Sequence, residues 1–138
     1  MGPTQTSGIP RGAIVLGPEA GRSYPCGTMR AVFKADGEET GERYSVSEWW
    51  LEPHSDGPGS HAHVDGDELF YVVAGCVSFL VGAAWVDAPA GSFLRVPAGV
   101  EHDFANRTGA RAGLLNVFTP GGFEKEMPAI VEWYRRQG

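Results

Sequence analysis

Gly75, Gly82, Pro89 to Gly91 and Pro97 to Gly99 cut the middle of this chain into apolar runs of seven residues or fewer. Runs that short do not sustain helices, which need roughly 12 residues to be even marginally stable alone, whereas strands of about this length are ordinary. The spacing predicts strands at Glu68 to Ala74, Val77 to Val81, Ala84 to Val86, Ser92 to Val96, His102 to Asn106 and Ala112 to Phe118. Upstream, Ala13 to Leu16, Thr28 to Lys34 and Tyr44 to Leu51 read the same way, with a charged, glycine-bearing turn over Ala35 to Arg43. With 20 Gly and 10 Pro in 138 residues, this is the pattern of an all-β sandwich or barrel. The length suits one domain with its own core. Residues 1–11, rich in Gly, Pro, Ser and Thr, are expected to be a flexible N-terminal segment, and residues 12–138 a single domain.

The C-terminal stretch changes period. Phe123, Met127, Ile130, Val131 and Tyr134 recur at helical spacing, which predicts a short helix sealing one face of the barrel, with Pro128 in its first turn. Trp49 and Trp50 are adjacent in a strand, so their side chains leave opposite faces. One can enter the barrel; the other then needs a helix, a terminal strand or a second subunit as cover, and a homodimer is expected.

A formal charge of −6, with only 11 scattered Lys and Arg, argues against nucleic acid or an anionic membrane as partner. There is no run of roughly 20 apolar residues and no signal-peptide pattern, so the expected location is cytoplasmic. Cys26 and Cys76 form no CxxC pair and are expected to be free thiols, Cys76 buried and inert.

The chemistry concentrates in two segments. His61 and His63 are two apart, so both imidazoles leave one face of an extended chain. Glu68 opens a strand in which it shares a face with Phe70 and Val72, which sets a carboxylate above an apolar wall. An unpaired charge there is costly, and a metal ion offers it a partner. His102 shares a face with Phe104 and Asn106. Three imidazoles and one carboxylate suit one divalent transition metal (Fe, Mn, Co, Ni, Cu or Zn) and suit Mg or Ca poorly. Such a site keeps open positions and a net positive charge, which favours an anionic or enolate small-molecule ligand.

His61-x-His63-x4-Glu68-x6-Gly75 and Gly91-x5-Pro97-x-Gly99-x2-His102-x3-Asn106 resemble the two sequence motifs of the cupins, in the right order and separation. The resemblance implies a double-stranded β-helix, the jelly-roll cupin barrel, with His61, His63, Glu68 and His102 as metal ligands. Asp67 is the reserve carboxylate, because the family also tolerates the shorter gap. One position departs from the pattern: Ser55 stands where the family usually has Gly, with Gly57 and Gly59 nearby.

Further segments resemble the small quercetin dioxygenase-like cupins: Gly17-Pro18, Met29 to Lys34, Glu48 to Pro53 and Phe118 to Glu124. That likeness implies a metal-dependent oxygenase, dioxygenase-like, acting on a small aromatic or enolisable substrate. Glu68 would be both ligand and general base. Two alternatives stand beside it: a non-oxidative isomerase, cyclase or decarboxylase, and a metal and small-ligand binding module without turnover. Trp50, Phe70, Phe79 and Phe104 are candidates to line a substrate pocket, with barrel core as the bland reading of each. His54 is expected in an exposed loop, and Asn106 is expected to be structural.

Overall fold

The computed structural model describes residues 8–137, so the first seven residues of the expected N-terminal segment lie outside the described residues. Nine strands follow one another: β1 (Arg22–Cys26), β2 (Met29–Ala35), β3 (Ser45–Leu51), β4 (Asp67–Ala74), β5 (Cys76–Val81), β6 (Ala84–Pro89), β7 (Phe93–Val96), β8 (His102–Ala105) and β9 (Ala112–Thr119). A turn of 3-10 helix at Phe123–Glu126 leads into α1 (Met127–Gln137), the one α-helix among the described residues, with Pro128 in its first turn. The strands form a six-stranded sheet, ordered β1-β2-β3-β9-β4-β7, and a three-stranded sheet, ordered β6-β5-β8. Every pairing is antiparallel. This is the two-sheet jelly roll that the strand spacing and the motifs imply.

Alternation builds the core. Along β3 buried and half-buried residues alternate without a break, and Ser47, Trp49 and Leu51 point inward. In β4 the inward set is Glu68, Phe70 and Val72; in β9 it is Leu114, Asn116 and Phe118. Phe70, Phe79 and Phe104 meet across the two sheets with ring centroids 5.1 to 6.2 Å apart. At that spacing aromatic rings gain packing beyond the area they bury. Asn106 is fully buried, and its amide nitrogen is within hydrogen-bond reach of the carbonyls of Leu51, Glu52 and Ala110. Its Oδ1 accepts from the Thr108 amide and hydroxyl. It pins the β8–β9 connection to the end of β3, a structural role.

Three local expectations need correction. Ala13 to Val15 join no strand and lie exposed. The strand that covers the edge of β2 is Arg22–Cys26, in which only Cys26 is buried. An edge strand packed on one side needs little apolar pattern and tolerates Pro25, so the sequence did not betray it. Cys76 is half-buried rather than buried, and both cysteines are free.

The third correction concerns the tryptophan pair. Trp49 is the inward one, only 5% exposed. Trp50 lies on the outer face across Gly113 of β9, where a Cβ would fall 2.4 Å from its ring. The Arg111 guanidinium stacks over it, 4.3 Å from the ring centroid. Part of the cover for the outer tryptophan therefore comes from the chain's own sheet, which leaves Trp50 half-buried. Among the described residues no helix is long and apolar enough to cross a membrane.

Candidate metal centre

His61, His63, Glu68 and His102 meet at one end of the barrel, with one donor atom from each lying within 4.8 Å of all the others. The chain reaches this arrangement through a single isolated bridge. The His61 amide donates to the His102 carbonyl at 2.9 Å and the His102 amide returns a bond at 2.8 Å, which sets their rings side by side at 4.3 Å. His63 follows two residues on, its carbonyl accepting from the Gly99 amide at 2.7 Å. Glu68 arrives from β4 in the large sheet and His102 from β8 in the small one, so the cluster closes only when the two sheets face each other.

The imidazoles are aimed. His61 Nδ1 is 2.7 Å from the Gly59 carbonyl, and His102 Nδ1 is 2.9 Å from the Val100 carbonyl. A carbonyl only accepts, so each Nδ1 carries the hydrogen and each Nε2 is left facing the cluster. His63 packs edge-on against Phe118 and Phe123, whose rings are stacked on each other 4.4 Å apart. Its Nε2 is buried without a hydrogen-bond partner; Glu68 Oε1 lies 3.3 Å away, an ion-pair distance without a hydrogen bond's alignment. A buried nitrogen left unsatisfied among three other donors fits a metal ligand. Ligands at about 2.1 Å on an octahedral ion sit roughly 3.0 to 4.2 Å apart, close to the spread seen here.

Glu68 is held from both sides. Its Oε1 is 2.7 Å from His102 Nε2, and its Oε2 accepts from Asn116 Nδ2 at 3.0 Å. Burial pushes its pKa up, but the hydrogen bond from His102 and the proximity of the His102 and His63 imidazoles outweigh this and hold it near 2 instead of 4.5. Burial pushes His102 down, and the hydrogen bond to Glu68 reverses that into a net rise. His61, for which burial dominates, falls below its ordinary 6.5.

These shifts set a pH window for the metal-free protein. A carboxyl depressed by folding stabilises the fold above its ordinary value and loses that contribution as pH drops from 4.5 towards 2. An imidazole raised by folding stabilises below 6.5 and loses its contribution as pH climbs past its folded value. The stability gap between metal-free wild type and Glu68→Gln is therefore expected to be widest between pH 4.5 and 6.5. Thermal unfolding in chelator-treated buffers reads it; a gap that stays flat from about pH 3 to 8 would dismiss the pairing.

Asp67, the reserve carboxylate, turns outward to Arg95 at 2.9 Å and is not part of the cluster. Ser55 is buried, its hydroxyl 2.7 Å from that of Thr28, and its carbonyl accepts from the Asn106 amide. The close backbone approach falls instead to Gly57, with φ +80°. His54 lies exposed with φ 61°, beside a separate polar cavity near Asp103 and Arg107.

A cavity of about 380 Å³ opens over the cluster. Of the four aromatic candidates for its wall, Phe104 lines it; Phe70 and Phe79 are sealed in the core, and Trp50 is on the other face of its sheet. Trp49 takes the place expected of Trp50, because the register of β3 turns the first of the pair inward. The C-terminal helix does more than seal the core: Ile130, Trp133 and Tyr134 form part of the wall. Asn116 was legible in principle as the one polar residue on the inward Leu114–Asn116–Phe118 face of β9.

The sequence pattern of the cupin domain family matches residues 47–118. No curated protein matches the sequence. Among solved structures, an RmlC-like cupin from Shewanella frigidimarina is 20% identical, with a TM-score of 0.65 over 76% of this chain and 88% of that one. A cupin-superfamily sugar phosphate isomerase from Silicibacter pomeroyi is 27% identical, with a TM-score of 0.60 over 67% of this chain and 59% of that one. The Bacillus subtilis oxalate decarboxylase, described with Mn(II) centres, is 19% identical at a TM-score of 0.66, over 75% of this chain and 28% of that one.

Proposed function

This chain belongs to the cupin domain family, and from that membership and the geometry of its site we propose that it is a metal-dependent enzyme, most simply a dioxygenase-like oxygenase of a small aromatic or enolisable substrate. The observation that supports this is the convergence of His61, His63, Glu68 and His102 on one point, with His61, His63 and Glu68 in the wall of a cavity that is otherwise largely apolar. These four residues would hold one divalent ion of the Fe, Mn, Co, Ni, Cu or Zn group. When bound, such an ion supplies a Lewis acid and, if redox-active, a path for electrons to oxygen.

The chain's own side chains supply the rest. Trp49, Phe104 and Phe123 line the cavity with aromatic surface that excludes water and suits a flat substrate. Asn116 holds one Glu68 oxygen and leaves the other towards the imidazoles. While His102 shares its proton, Glu68 is a poor base. With an ion held by the three imidazoles, His102 would have no proton to share, and Glu68 would be the carboxylate placed to accept the substrate's hydroxyl proton.

Among the described residues lining the cavity there is no Lys or Arg. A phosphate group held away from the cluster needs such cations, so the cavity suits an enolisable compound without a phosphate better than a sugar phosphate. A non-oxidative isomerase, cyclase or decarboxylase is the second reading, favoured by the 27% identical isomerase.

Elemental analysis of protein purified without a metal-affinity tag, set against a His61→Ala/His102→Ala double variant, tests the proposal. The expected result is about one equivalent of a redox-active metal, lost in the variant, with oxygen uptake on flavonols or β-diketones. Stoichiometric Zn without oxygen uptake would transfer the chain to the second reading. Failure to take up any metal on titration would end both.

A further inference from the structure

Glu126, Ile130, Trp133 and Tyr134 fall at positions one, five, eight and nine of a continuous helical run, so they share one side of it, and all four line the cavity. Glu126 is exposed where the 3-10 turn meets α1, and makes no hydrogen bond or ion pair among the described residues. The basic residues of the helix are committed elsewhere: Arg135 and Arg136 each lie 3.4 Å from Glu132. Trp133 is 56% exposed, and its ring meets Tyr134 edge to face at 5.0 Å. The rim thus combines aromatic surface, whose π faces attract cations, with a free carboxylate, and no Lys or Arg is among the described residues that line it; the exposed Lys125 next to Glu126 is not one of them. The chain's charge of −6 adds to the same field.

From this we infer that the rim is a subsite for an organic cation, so that the substrate carries a protonated amine at the end held by α1. The inference rests on the reading of this cavity as the substrate site and narrows its substrate class. The ligand it describes is amphoteric: an acidic hydroxyl or enol faces the His/Glu cluster, and an ammonium group faces Glu126 and Trp133.

Three probes of one shape test it by tryptophan quenching or calorimetry at neutral pH: 2-phenylethylamine, 2-phenylethanol and phenylacetate. The expected order is amine, alcohol, acid, with the amine about tenfold tighter than the alcohol and the preference shrinking as salt rises. Glu126→Gln is expected to bring the amine to within about twofold of the alcohol, and Trp133→Leu to weaken the amine more than the alcohol. If Glu126 only complements the N-terminus of α1, its replacement moves the melting temperature and leaves the selectivity intact, which overturns the inference. Equal affinities, or no binding of any probe, overturn it too. Metal uptake is read separately. A chain that takes no metal yet prefers the amine keeps the cation subsite and loses the oxygenase reading; one that takes metal without that preference does the reverse.

Discussion

Glu68→Gln is expected to lower divalent-metal affinity about 100-fold or more while leaving the fold intact. Replacing a partner that merely orients a ligand typically costs about 10- to 100-fold, and Glu68 is placed to be a ligand itself. It brings the only negative charge among four donors, and its carboxylate is 4% exposed, so no water makes up for its loss. Glutamine keeps the size and still accepts from Asn116, yet its amide nitrogen offers no lone pair to a metal and presents a donor to the face of the imidazoles. Competition with a chelator, read by metal analysis of the protein fraction, gives the affinity ratio, and circular dichroism confirms the fold. An unchanged ratio would take Glu68 out of the ligand set; full turnover in the variant would take it out of the proton-transfer role.

The second large effect is on stability. Gly57→Ala is expected to destabilise the protein by about 3 kcal/mol or more. At φ +80° an L residue is strained already, and the new Cβ would fall 1.7 Å from the Phe104 carbonyl oxygen. No rotamer relieves that overlap, because both groups are backbone or Cβ. Either the loop before His61 or strand β8 has to move, and β8 carries His102 and Phe104. Gly59→Ala is the control. It has the same hand of backbone, φ +97°, but nothing within 4 Å of the added carbon, so only the conformational cost of about 1 to 2 kcal/mol applies. Urea unfolding of the two variants separates strain from collision. Equal losses would mean that the loop yields freely and that Gly57 does not fix the position of β8.

The glycine also shows where a motif stops being a guide. The pattern expects Gly at position 55, and the chain has a buried Ser there that hydrogen-bonds Thr28. The tight approach to β8 still has to be made, and it is made two residues later. Sequence alone left Gly57 and Gly59 equivalent. Only the distance to a carbonyl 47 residues away in the chain tells them apart.

What the sequence determined by itself is whatever depends on short-range periodicity. Period two placed Glu68, Phe70 and Val72 on one inward face of β4, and His102 and Phe104 on the inward face of β8. Turn residues at the expected intervals set most strand ends to within a residue or two. The four donors came from spacing and motif together. Tertiary structure decided whatever depends on which face is the inside and on what arrives from elsewhere. Alternation guarantees that Trp49 and Trp50 part company but carries no sign, and the sign came from the pairing of β3 with β9, where Gly113 leaves room for Trp50 outside. Asn116 reaches Glu68 across 48 residues of chain. The apolar stripe of α1 looks the same whether it seals a core or walls a cavity. The difference lies in the space opposite, and that space exists only once the two sheets have closed.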